Sequence, residues 1–280
     1  GFHELATVFH AVSLFDDVVA TAAEDITVSL ENPDPTVPLD GDNLAARAAH
    51  ALAAHTGTDA GVHLRLVKRI PVAAGMAGGS ADAAAALVAC DALWGTGLSR
   101  DELSELGAEL GSDVPFALMG GTAIGTGRGT LLSPVLARGE FHWVFAVAED
   151  GLSTPAVYRE CDRLRERSGV PVPDLATDEA LMTALRAGDP KAVGAALSND
   201  LQEAAISLQP ALAQTLGAAV ELGALGAVVS GSGPTVAFLV RSPEAGLDVA
   251  VGLTAMGLCR DAKRAGSPAP GAKVVTVARV

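Results

Sequence analysis

The chain has 280 residues, a formal net charge of -14, 49% hydrophobic residues and 19% charged residues. That acidity argues against a nucleic-acid binder, which needs a basic face to displace counterions. No apolar run approaches the roughly 18 residues that span a bilayer, so the composition describes a folded, soluble, cytoplasmic protein with no membrane partner.

In chain order, residues 4–19 and 26–30 partly alternate apolar and polar side chains, as half-exposed strands do. Residues 31–41 are rich in turn formers and predict a loop. Asp42 is then placed to cap an alanine-rich helix ending near His55. Val62, Leu64 and Leu66 alternate with His63 and Arg65, which predicts a strand over 62–68. A glycine-rich loop follows, then a helix over 81–94. Ser99-Arg100-Asp101-Glu102 spells a capping box, and its helix should stop near Gly111. A second, strand-rich half opens around 141–147. Helices follow around 155–168, 176–186 and 190–198, then two strands over 227–230 and 235–240 joined by a Gly-rich turn. Residues 265–271 predict a loop and 273–279 a last strand. Cys90, Cys161 and Cys259 are too far apart for a disulfide framework or a zinc site and read as structural thiols, Cys90 as a buried one. His10, His50, His55, His63 and His142 show no metal-ligand spacing.

The segment Pro71-Val72-Ala73-Ala74-Gly75-Met76-Ala77-Gly78-Gly79-Ser80-Ala81-Asp82-Ala83-Ala84 is the most informative. It lies between a strand and a helix and is nearly bare of side chains. Small residues let the backbone approach a ligand, and glycines allow successive N–H groups to converge. The free amides and positive dipole end of the following helix complete an anion site suited to a triphosphate. No Lys follows Gly79, so this is not a Walker A loop, and the glycine spacing is not that of a dinucleotide fingerprint. The plain alternative is a tight strand-to-helix connection with Ser80 as N-cap. Asp82, which would repel phosphate, reads as structural. Asp113, held in a short turn before Val114-Pro115, could serve as a general base or simply bond its own backbone.

The loop resembles the second motif of the GHMP kinases, and Val229-Ser230-Gly231-Ser232-Gly233-Pro234-Thr235 resembles their third. Gly1-Phe2-His3-Glu4-Leu5, Lys68-Arg69-Ile70-Pro71, Leu110-Gly111-Ser112-Asp113-Val114-Pro115-Phe116 and Asn199-Asp200-Leu201 narrow the likeness. They resemble the branch that phosphorylates a cytidine diphosphate-linked methylerythritol in the non-mevalonate route to isoprenoids. The resemblance implies an α+β, two-domain GHMP kinase fold with the active site in the cleft between the domains. Residues 1–138 would form an N-terminal domain similar to ribosomal protein S5 domain 2, and residues 139–280 a ferredoxin-like C-terminal domain.

The same resemblance implies that Asp113 takes the proton from the substrate hydroxyl. It places ATP on Lys68, Pro71, Gly75, Met76, Ala77, Gly78, Gly79, Ser80 and Ala81, with Mg²⁺ arriving on the nucleotide. Without it, Lys68 would be a solvated charge at a strand end. Phe2 would stack on the cytosine and His3 would bond its edge. Tyr158 would supply a second ring, with Pro155 lining the same pocket and Gly231, Ser232 and Gly233 completing the substrate site. Without the family, Tyr158 reads as a packing residue. The family's catalytic Lys belongs to a motif ahead of Gly1, and the sequence, which begins without Met, reads as missing its beginning. Other alcohol kinases of the family and a non-catalytic nucleotide sensor are the competing readings. A monomer or homodimer is expected.

Overall fold

The computed structural model describes residues 3–169 and 177–275. The chain forms two compact units: Gly1–Val72, Ala77–Val135 and Ala269–Val280 in one, Ala73–Met76 and Leu136–Pro268 in the other. The chain therefore enters the second unit briefly over four residues of the glycine-rich loop before returning to the first.

The first unit holds β1 (Leu5–His10), β2 (Asp17–Ala23), β3 (Ile26–Leu30), α1 (Leu44–Thr56), β4 (Gly61–Val67) and α2 (Gly78–Trp94). It continues through α3 (Arg100–Leu110), α4 (Val114–Met119), β5 (Thr122–Gly127) and β6 (Leu131–Pro134). One sheet has the order β1-β5-β6, the other β2-β4-β3. In the second sheet β3 and β4 run parallel, as the α1 crossover between them requires. Alternation on β4 sends Val62, Leu64 and Leu66 into a core built with α1 and α2. Both helices are alanine-rich, which suits helix formation, and Ala48, Ala49, Ala83, Ala84 and Cys90 are fully buried.

The cap of α1 is Asn43 rather than Asp42. Its Oδ1 accepts from the amides of Ala45 and Ala46, and its Nδ2 donates to the Pro38 carbonyl at 2.7 Å. The amide can serve both partners at once, which a carboxylate cannot. The capping box at Ser99 and Glu102 forms as expected and α3 ends at Gly111.

The second unit holds β7 (Phe141–Val147), α5 (Thr154–Ser168), α6 (Glu179–Ala187), α7 (Pro190–Ala195), α8 (Gln202–Leu208) and α9 (Ala211–Glu221). It closes with β8 (Gly226–Val229), β9 (Val236–Val240), α10 (Pro243–Ala255) and β10 (Asp261–Ser267). Its four strands run in the order β10-β7-β9-β8, each pair antiparallel. With helices between the first two and the last two strands, this is the ferredoxin-like arrangement. Val144, Val236, Phe238 and Val240 form its core with helix residues such as Val157, Leu212 and Leu253.

Two expectations at the C-terminal end are corrected. Residues 265–267 belong to β10 rather than to a loop, because the strand pairs with β7 along its whole length. Residues 273–275 are not strand, and the rest of the expected last strand lies outside the described residues. Instead Ala269 donates to the Ala11 carbonyl and Ala272 to the Ala117 carbonyl, tying the returning segment into the first unit.

Candidate functional site

Helix α2 begins at Gly78, three residues earlier than its apolar run suggests, so Ser80 lies inside the first turn and is not its cap. The position before it is Ala77 in a left-handed conformation (φ 53°), with no side-chain cap. Its first intrahelical bond runs from the Ala81 amide to the Ala77 carbonyl at 2.9 Å. The amides of Gly78, Gly79 and Ser80 lie ahead of that bond, as the first amides of any helix do. Ala73 (φ 54°) and Gly75 (φ 69°) are left-handed too. A left-handed alanine costs about 1–3 kcal/mol and concentrates at ligand sites, and alternating hands turn successive N–H groups to one side. Gly75, Ala77 and Gly79 are exposed, whereas Pro71, Met76, Ser80 and Ala81 are half-buried.

Asp113 belongs to the same unit as α2. It occupies the N-cap position of α4, and its side chain makes no capping hydrogen bond. Burial raises its carboxyl above the ordinary carboxylate value. A Cβ placed on Gly111 would lie 3.9 Å from the Ser80 hydroxyl, so the turn carrying Asp113 lies beside the first turn of α2. Phe116, one turn further along α4, stacks on Phe9 with centroids 5.0 Å apart.

Lys68 follows β4 and is neither solvated nor alone. Its Nζ donates to Asp16, to Asp82 at 2.6 Å and to the Gly78 carbonyl at 3.4 Å. The three side chains are 11%, 1% and 6% exposed in the order Lys68, Asp16, Asp82. Burial pushes the Asp82 carboxyl up to about 7 against the pull of Lys68, and its Oδ1 has no partner. The other Asp16 oxygen accepts from the amides of Arg69 (2.5 Å) and Ile70 (2.8 Å). Asp16 carried no signal in the sequence, being 52 residues away from the lysine it binds.

In the second unit the turn between β8 and β9 contains Gly231 (φ 54°) and Gly233 (φ 78°). It packs on the loop residues assigned to this unit: Ser230 Oγ donates to the Gly75 carbonyl at 3.4 Å, and a Cβ on Gly75 would run into the Gly233 carbonyl oxygen. The Ser232 hydroxyl meets that of Thr154 at 2.8 Å, at the start of α5, where Pro155 and the half-buried Tyr158 also lie. Asn199 holds the turn, donating to the carbonyls of Val229 and Gly231, each at 2.7 Å. His3 is exposed ahead of β1, and Phe2 lies outside the described residues.

Comparison with known proteins matches residues 43–121 to the GHMP kinases N terminal domain and residues 181–257 to the GHMP kinases C terminal domain. A 4-diphosphocytidyl-2-C-methyl-D-erythritol kinase of Streptomyces avermitilis is 59% identical over 276 residues, 98% of this chain and 92% of the relative. One from Thermobifida fusca is 54% identical, covering 98% and 91%. A crystal structure of 4-(cytidine 5'-diphospho)-2C-methyl-D-erythritol kinase superposes with TM-score 0.75 at 33% identity, over 95% of this chain and 91% of that one. An L. major mevalonate kinase in complex with R-mevalonate shares the fold at TM-score 0.74 and 17% identity, covering 97% of this chain and 91% of that one.

Proposed function

The chain belongs to the GHMP kinases, among relatives named 4-diphosphocytidyl-2-C-methyl-D-erythritol kinase, and on that premise we propose that it uses ATP to phosphorylate a hydroxyl of 4-diphosphocytidyl-2-C-methyl-D-erythritol in the non-mevalonate route to isoprenoids. Phosphoryl transfer asks for positioning and charge stabilisation more than for covalent chemistry. The observation that carries the reading is the half-buried Asp113, whose side chain caps nothing, in a turn that lies beside the first turn of α2.

In this reading the amides of Gly78, Gly79 and Ser80 receive phosphate oxygens, with Gly75, Met76, Ala77 and Ala81 giving the loop its shape. Asp113 accepts the proton from the attacking hydroxyl, and its raised affinity for protons favours that role. No group of three or more His, Cys, Asp and Glu side chains gathers to hold a metal among the described residues. Mg²⁺ would be carried mainly by phosphate oxygens and water, where it would neutralise charge on the nucleotide. The cytosine is recognised by Phe2, His3, Pro155 and Tyr158, and the Gly231–Gly233 turn supplies backbone to the substrate. The functional halves are residues 1–138 and 139–280, and the protein works as a soluble cytoplasmic monomer or homodimer. Among the described residues no helix is long and apolar enough to cross a membrane.

An ADP-release assay with three acceptors tests the assignment. The cytidine diphosphate-linked alcohol should turn over, and homoserine and mevalonate should not. Preference for either small acid would overturn the substrate assignment while leaving the kinase reading intact.

A further inference from the structure

Lys68 has three N–H donors, and the structure provides three acceptors for them: Asp16, Asp82 and the Gly78 carbonyl. None is left over for a phosphate. Two carboxyl groups face its single charge, so the cluster offers an anion no net positive charge. What it does offer is a junction. Asp16 lies immediately ahead of β2 and also grips the amides of Arg69 and Ile70 where the chain leaves β4. Asp82 lies in the second turn of α2, and Gly78 is that helix's first residue. A Cβ at Gly78 would sit 3.2 Å from Ile70 Cγ2, a tight approach, and 3.5 Å from Nζ, an ordinary contact, so the ammonium lies directly against the helix end.

We propose that Asp16, Lys68 and Asp82 are positioning residues that fix the start of α2 against β2 and β4, and that Lys68 serves ATP through this junction rather than by touching phosphate. The inference rests on the reading that the start of α2 is the phosphate cradle. Breaking a buried charge cluster by removing one partner leaves the others uncompensated, so the helix end should shift or loosen when any member is neutralised.

The two roles for Lys68 predict opposite signs for one variant. If Lys68 contacted phosphate, Asp82→Asn would release its charge toward the nucleotide, and KM for ATP would hold or fall. In a positioning junction, Asp82→Asn, Asp16→Asn and Lys68→Met should each raise KM for ATP about tenfold or more, as expected for lost hydrogen bonds to charged groups. KM for the alcohol should stay within about twofold of the parent. The double variant Lys68→Met with Asp82→Asn keeps the formal charge of the cluster at its original value and should show a lower KM for ATP than Lys68→Met alone. Should Asp82→Asn fail to fold, the comparison of that double variant with Lys68→Met carries the test, since a phosphate contact predicts equal KM values and a junction predicts partial recovery. An ATP KM that is unchanged or lower in Asp82→Asn, or equal values in the fallback comparison, overturns the proposal. Gly79→Val in the same assay reports on the cradle. If it leaves KM for ATP unchanged, both the cradle and the junction fall; if it raises KM while Asp82→Asn does not, only the junction does.

Discussion

Asp113 begins α4 without capping it, and burial lifts its carboxyl above the usual carboxylate range. A group whose folded-state pKa is raised binds its proton more tightly when folded. Ionising it therefore costs stability, beginning above its ordinary value of 3.8 and complete above the folded value. Asp113→Asn removes that cost. Its melting temperature at neutral pH should exceed the parent's, with the gap closing as pH falls toward 3.8. The same change should lower kcat by about 10²–10⁴-fold if the carboxylate is the general base. Thermal unfolding and turnover of one variant thus read both halves: near-normal turnover removes Asp113 from the mechanism, and a lowered melting temperature assigns it a structural role. The parent's kcat/KM should fall on its acid side above the pH at which exposed aspartates titrate.

At the scale of elements, the turn between β8 and β9 shows what side chains can do for a backbone that has few of its own. Its glycines adopt left-handed conformations, and Asn199 supplies two donors to its carbonyls while Gln202 accepts from the Val229 amide at 3.0 Å. Each such bond is worth about 0.5–1.5 kcal/mol net. Asn199→Ala should therefore cost about 1–3 kcal/mol in urea unfolding and raise KM for the alcohol. A variant as stable as the parent would mean that the turn holds its shape alone. Asn199 was visible in the sequence only as part of a family signature, since its partners lie 30 and 32 residues away. Elements with a strong local period, such as β4, β7 and the capped α3, were readable at nearly their observed bounds. Helices α9 and α10 were not, because Ala, Val, Leu and Gly run along them with few polar residues to mark a face. Strand β10, with the sequence Asp-Ala-Lys-Arg-Ala-Gly-Ser, has no apolar alternation at all; pairing with β7 makes it a strand.

For the molecule as a whole, the family motifs made the two-domain architecture and the glycine-rich loop legible, but not the path of the chain through them. Residues 73–76 group with the second unit and 269–275 with the first, a result of long-range hydrogen bonds that no local pattern encodes. The two cores also differ in kind. Helices α1 and α2 meet through fully buried alanines, so that seam has little volume to lose and little room to gain. The sheet of the second unit centres on Phe238, also fully buried. Overpacking the first with Ala84→Leu should cost about 1–3 kcal/mol, and emptying the second with Phe238→Ala about 3–5 kcal/mol. The two clusters share no residue, so the double variant should lose the sum to within about 0.5 kcal/mol. Guanidinium unfolding of the three variants checks this. A double variant markedly more stable than the sum would show that the two cores respond to each other, and a larger loss for Ala84→Leu than for Phe238→Ala would mean that tightness, not buried aromatic volume, governs stability here.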